Sequence, residues 1–325
     1  MSPLPRSALR ALCVLGAALL AACTDPPPTV RQISGDDRAL TMRLSPDRDL
    51  VLMGTVHNGA SLWRWEDRQI LATLNHSDQA PAEVWAAAFS PDGGHAVTAE
   101  RQTVVHWDLV RKQSLGFWST SGLVRSVDIS QDGRRVLVGL STREAWLIDT
   151  RGQVQPAVIP HADAVGVSRL TPDGRLGATG ADDGMLRVWD LESGEALLTW
   201  KFPSPLATVV FSDDQQLVFA APFHGPGRLW RVSDGQVLHE QVGERRISLG
   251  TASFSADGRQ LVTGSPSGEV RLWSVTTGEV LQRWQTPKPH AVRPSGAGIM
   301  DVGLSADGRT VTAALSDGSV VAWPR

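Results

Sequence analysis

Downstream of residue 38 the chain alternates short apolar runs with polar turns. Gln260 to Thr263, Glu269 to Trp273 and Glu279 to Trp284 are three such runs, with Asp257-Gly258 before them and Thr277-Gly278 between the last two. Apolar runs this short, rich in Val, Leu and Trp and bounded by turn residues, predict β-strands. Asp-Gly after an apolar run predicts a tight reversal, because Asp bonds nearby backbone and Gly accepts positive φ.

The pattern is periodic. An apolar residue is followed by Ser or Thr, any residue, Asp and often Gly, then an apolar stretch, a turn and a Trp. The Ser/Thr positions are Ser45, Ser90, Ser130, Thr171, Ser212, Ser255 and Ser305, at spacings of 45, 40, 41, 41, 43 and 50. Asp stands two residues later in all seven copies, and Gly follows it in five. The closing residues Trp63, Trp107, Trp146, Trp189, Trp230, Trp273 and Trp323 fall 16 to 18 residues after the Ser or Thr. Four short strands in each period make one propeller blade. A blade cannot bury both faces alone, whereas seven in a ring can, with Trp supplying the bulk between them. The expected fold is therefore all-β: a seven-bladed propeller of four-stranded antiparallel blades over residues 29–325. The last copy stops at Arg325 after its third strand, so Thr29 to Ser34 is the expected closing strand, removing a free sheet edge.

These residues resemble WD-repeat propellers. The Trp-Asp pair itself survives at Trp107-Asp108 and Trp189-Asp190, and the Gly-His pair that usually opens a repeat is absent. The resemblance implies a buried hydrogen-bonded set of His, Ser/Thr, Asp and Trp. His161, Thr179, Asp183 and Trp189 match it best, His290, Asp317 and Trp323 less well, and blades 1, 2, 3, 5 and 6 lack Asp at the matching place. It also places the partner site on the rim where the innermost strands begin. Trp85, Arg125 and Met300 stand there, of types enriched in interface cores, with Phe223 on a neighbouring turn. The longest connection, Thr286 to Gly298, adds Lys288 and Arg293.

The first residues follow a different logic. Arg6 and Arg10 precede an apolar run from Ala11 to Ala22. A run of that length rises about 18 Å as a helix, short of a hydrocarbon core of about 30 Å, and reads as a secretory signal. It ends in Leu20-Ala21-Ala22-Cys23, which resembles the lipobox of bacterial lipoproteins. The resemblance implies cleavage after residue 22, acylation of Cys23 and a Pro-rich tether over residues 23–28. With Thr24 after the Cys, it further implies the periplasmic face of the outer membrane of a Gram-negative bacterium. More than one acyl chain is needed for stable anchoring.

Composition narrows the chemistry. Removing Arg6 and Arg10 from 31 basic residues leaves 29 against 34 acidic, a formal −5, with no dense basic block for nucleic acid. The two cysteines, Cys13 and Cys23, both lie in the leader region, so the domain has no internal disulfide. No phosphate loop, His-Glu-x-x-His motif, cysteine metal cluster or Gly-x-Ser-x-Gly elbow is present. The repeat Asp residues are expected to staple turns rather than bind calcium, and no cofactor or metal is expected. The expected function is a membrane-tethered, non-enzymatic scaffold binding a protein or peptide partner on the rim, as a monomer or within a hetero-complex. The alternative is an enzyme, a hydrolase or quinone-cofactor oxidoreductase, using the central channel.

Overall fold

Every Ser/Thr-x-Asp unit forms the same stapled turn. The hydroxyl donates to Asp Oδ1 in all seven copies. That Oδ1 accepts the N–H two residues further on at 3.0–3.1 Å. The hydroxyl oxygen in turn accepts the N–H that opens the next strand. The residue after Asp takes positive φ even where it is not glycine, at Arg48 (70°) and Gln215 (62°). The Asp residues are thus spent on backbone, and among the described residues no cluster of three metal-ligating side chains occurs.

A computed structural model describes residues 26–33, 38–76, 83–152, 155–242, 248–287 and 297–325. They form seven four-stranded antiparallel sheets in a ring. The innermost strands are Ala39–Leu44, Ala86–Phe89, Val124–Ile129, Val165–Leu170, Leu206–Phe211, Thr251–Phe254 and Ile299–Leu304 for blades 1 to 7. Each runs from the upper face, where second strands hand over to third strands, down to the stapled turns. Hydrophobic clusters sit between neighbouring blades: Val97 and Val104 of blade 2 pack with Val127 and Val138 of blade 3.

Closure is as the sequence predicts. Thr29–Gln32 completes the sheet of Ile299–Leu304, Thr310–Leu315 and Ser319–Pro324. It pairs antiparallel to the last of these, from Thr29↔Ala322 to Gln32↔Ser319. Its four side chains are exposed, while Ile33, just beyond, is buried among Ala39, Met42, Val320 and Ala322. The Ile33 N–H donates to Gly318 O at 3.0 Å on the upper face, so the chain upstream of Thr29 leaves from the lower face.

The Trp indoles divide the blades. In blades 2, 4 and 6, Trp107, Trp189 and Trp273 donate Nε1–H to Thr98, Thr179 and Thr263 at 2.7–2.8 Å. In blade 4, His161 Nε2 lies 2.8 Å from the same Thr179 hydroxyl, and Nδ1 turns to Ile159 O at 3.1 Å. Asp183 departs from the expected set: its Oδ1 accepts Met185 N–H at 2.8 Å. Blade 2 holds a further set of this kind, with Glu in place of Asp. His76 Nε2 is 2.7 Å from Thr98 Oγ1 and its Nδ1 is 3.3 Å from Glu100 Oε1. Glu100 does the work expected of Asp from two residues earlier in the repeat, and a longer side chain reaches where an Asp register would not. In blade 7, Asp317 accepts from Ser319, and His290 lies outside the described residues.

Burial holds two imidazoles neutral. It pushes His76 down to about 4, and His106, beside His95 at 3.0 Å, down to about 4 as well. In the unfolded chain both titrate near 6.5. As pH falls from 6.5 towards 4, the unfolded chain takes up protons that the fold refuses, so stability is lost across that window. Glu100, raised by burial, opposes this by protonating in the folded state first. The expected result is therefore a difference: His106→Gln should lose less stability between pH 7 and pH 4.5 than the parent chain. Urea midpoints at a series of pH values check it, and parallel profiles would sink it.

Candidate functional site

The upper face carries one continuous arc of apolar and charged groups. Trp85 enters the innermost strand of blade 2 with 47% of its surface exposed, and its N–H donates to Ala99 O at 2.9 Å. Two residues on, Arg101 O accepts Val124 N–H at 2.8 Å, tying blade 2's upper loop to the entry of blade 3. Leu123, 51% exposed, stands beside that junction. Arg125, next along, pairs with Asp182 on the upper loop of blade 4. The arc thus runs Trp85, Arg101, Leu123, Arg125–Asp182 over three adjacent blades. Large apolar groups left in water at a rim, flanked by charge, are the usual form of a protein-binding patch.

The other expected rim residues are not gathered there. Phe223 is 47% exposed but belongs to blade 5. Met300 is half-buried against the cluster that joins blades 7 and 1, and only its carbonyl serves a neighbour, accepting from Arg43 Nη1 at 3.5 Å. Lys288, Arg293 and Cys23 lie outside the described residues. Leu123 went unnoticed in the sequence because a lone Leu in an upper loop has no repeat position that marks it.

The central channel holds a second group. At its lower end is a cavity of about 450 Å³ lined mainly by residues two before, one before and one after the repeat Ser/Thr, together with Arg48 and Asp301. The ring two before reads Arg43, Ala88, Asp128, Arg169, Val210, Ser253 and Gly303 in blades 1 to 7. It places charge in the channel, and this the sequence could have revealed had that column been read. Asp128 Oδ2 accepts Leu170 N–H of the next blade at 2.7 Å. Asp301 Oδ2 likewise accepts Leu44 N–H at 2.8 Å, with Arg43 Nη1 at 3.9 Å from its other oxygen. Burial pushes the Asp128 carboxyl up, partly offset by Arg169 beside it, and burial together with Arg169 lowers Arg43. Among the described lining residues the ionisable groups are arginines and carboxylates, with no histidine.

Comparison with known proteins agrees with this architecture. The profile of the WD domain, G-beta repeat, matches residues 68–108, 154–190 and 242–274. Those stretches end on the third strands of blades 2, 4 and 6, the three blades whose Trp bonds Thr, so the chain carries WD40 repeats and the matched ones are those with the intact Trp–Thr contact. The chain is 24% identical over 197 residues to the Angio-associated migratory cell protein of Homo sapiens, covering 58% of this chain and 44% of that protein. It is 27% identical over 130 residues to Autophagy-related protein 16 of Arabidopsis thaliana, covering 39% and 25%. It is 30% identical over 152 residues to the Guanine nucleotide-binding protein subunit beta of Solanum tuberosum, covering 42% and 40%. The chain spans less than half the length of each of these relatives.

Proposed function

We propose that this chain is a lipid-anchored scaffold of the periplasm that docks a protein partner on its upper rim. The observation that carries the reading is the exposure of Trp85 and Leu123 on adjoining blades, with Arg101 and the Arg125–Asp182 bridge on the same rim. WD40 propellers are typically interaction scaffolds, and one relative is by its name a subunit. The leader ending in Leu20-Ala21-Ala22-Cys23 supports the anchor. The closing strand begins at the lower face, so a tether from Cys23 through Pro26, Pro27 and Pro28 favours presenting the lower face to the bilayer and the rim to the aqueous space. Three consecutive prolines keep such a tether extended, at about 3.1 Å per residue.

Two measurements on one strain test it. Cys23→Ser should move the protein from the membrane fraction to the soluble one or leave it unprocessed; membrane association with unchanged mass would refute the anchor. A photocrosslinker at Gly122 should give a protein adduct in the parent chain. Trp85→Ala with Leu123→Asp should reduce that adduct about fivefold or more, as loss of a central anchor does. Ile70→Asp, on the exposed outer edge of blade 1, should leave it unchanged. Equal adducts in all three would refute the rim.

A further inference from the structure

We propose that the lower end of the central channel binds a small organic carboxylate with an apolar body. Two guanidinium groups, Arg43 of blade 1 and Arg169 of blade 4, line the same cavity and lie close enough for Arg169 to depress Arg43. Asp128 lies within electrostatic reach of both, yet it is held by the Leu170 N–H; the carboxylate nearest Arg43 is Asp301, at 3.9 Å. Asp301 is held in the same way by the Leu44 N–H and by the Thr251 hydroxyl at 3.3 Å. The arginines make few bonds of their own. Arg169 Nη1 donates to Ser168 O at 3.0 Å, and Arg43 donates to Ala87 O at 3.1 Å and Met300 O at 3.5 Å. A guanidinium has five N–H donors in a planar fork, so both retain donors toward the cavity.

The cavity also has an apolar wall: Val210, Phe211 and Phe254 line it on blades 5 and 6, between the blades that carry Arg169 and Arg43. Arg48 lies across the mouth and donates to Ser253 Oγ at 3.1 Å. It passes directly over Gly303, where any Cβ would collide with the guanidinium. Arg48 stands where five other blades carry Gly, and Gly303 stands where other blades carry a side chain; this paired exchange belongs to no repeat rule and builds the mouth.

The chemistry selects the ligand. The lining arginines Arg43, Arg48 and Arg169 are matched in number by Asp128, Asp213 and Asp301, so the site is formally neutral. With Asp128 and Asp301 tied to amides, one negative charge between Arg43 and Arg169 gains charge-assisted, bidentate hydrogen bonds in a partly desolvated site. A phosphate dianion would leave the site doubly negative, which is costly in such surroundings. The volume, about 450 Å³, lies within the range of small-molecule pockets, about 300–1,000 Å³. The apolar wall asks for a ring or short aliphatic body.

The test uses the full chain and 4-fluorobenzoate, followed by fluorine NMR. Saturable broadening with a Kd of about 1 mM or tighter is expected. Arg169→Met should weaken it about tenfold or more. Because losing Arg169 could also disturb the fold, Val210→Trp supplies an independent arm: it fills the apolar side, keeps both guanidinium groups, and should weaken binding as much. Trp85→Ala should bind as the parent does, which separates this site from the rim proposal. Any of three results overturns the inference: no saturation up to about 10 mM, tenfold above that Kd; equal binding of neutral 4-fluorobenzyl alcohol; or binding unchanged in both Arg169→Met and Val210→Trp. Displacement by inorganic phosphate at comparable affinity overturns the carboxylate assignment.

Discussion

Trp230→Ala is expected to destabilise the propeller by about 3 kcal/mol, at the low end of the range of about 3–5 kcal/mol for Trp in a core. Trp230 is fully buried. It stacks on Trp200 at 4.5 Å between ring centroids and meets Phe202 edge-on at 5.8 Å, so truncation leaves a large cavity between blades 4 and 5. Its indole Nε1 is also buried without a hydrogen-bond partner. The position that holds Thr in blades 2, 4 and 6 is Ala220 in blade 5. An orphaned donor costs about 1–3 kcal/mol, and Ala removes that cost along with the ring, which moves the net loss to the low end. Trp230→Phe should therefore cost far less than Trp230→Ala, since it keeps much of the stack and drops the unpaired N–H. Trp189 is half-buried and bonded to Thr179, so its truncation should cost less than that of Trp230. Urea denaturation of the three variants checks the order; a Trp230→Ala midpoint equal to the parent's would reject the packing account.

Deleting residues 26–33 is expected to cause self-association beyond that of the parent chain. The deletion strips Ser319–Pro324 of its partner strand and exposes a backbone edge whose residues include Val320, Val321 and Trp323. An uncharged apolar edge strand pairs with other copies. Stability should fall too, and most of that should trace to one residue. Ile33 is buried against Val320 and Ala322, while Val30 is 42% exposed. Ile33→Ala should cost about 2–4 kcal/mol, as buried Ile truncations do, and Val30→Ala should be close to neutral. Size-exclusion chromatography at two protein concentrations reads the first effect, and denaturation reads the second. A deletion variant that stays monomeric with an unchanged midpoint would mean that the closing strand is not part of the working fold.

The two faces of the propeller differed in how readily the sequence yielded them. The stapled turns were legible because Ser/Thr, Asp and a left-handed residue must stand at fixed offsets to satisfy one another, and any other spacing leaves backbone groups unpaired. The Trp–Thr contact of blade 4 was legible for the same reason. The blade 2 set was not, because Glu100 reaches His76 from a position out of step with the repeat, and a longer side chain hides a shared geometry behind a different spacing. On the rim, Trp85 stood out by residue type, but its neighbour Leu123 did not, since exposure belongs to the loop's packing rather than to the residue.

The repeat by itself determined the blade count, the strand order and the ring closure. These follow from local rules: short apolar runs bounded by turn residues, turn chemistry, and the need of every blade to cover two faces. What only the tertiary structure decided is which groups share a space. Arg43, Asp128 and Arg169 lie far apart in the chain, and Arg48 and Gly303 come from opposite ends of it. They meet because a closed ring brings one column of the repeat to a common axis, and how far each side chain reaches across that axis depends on its neighbours' size. Met300 packs half-buried against the cluster that joins blades 7 and 1 for the same reason: ring closure brings residues from the two ends of the chain together there.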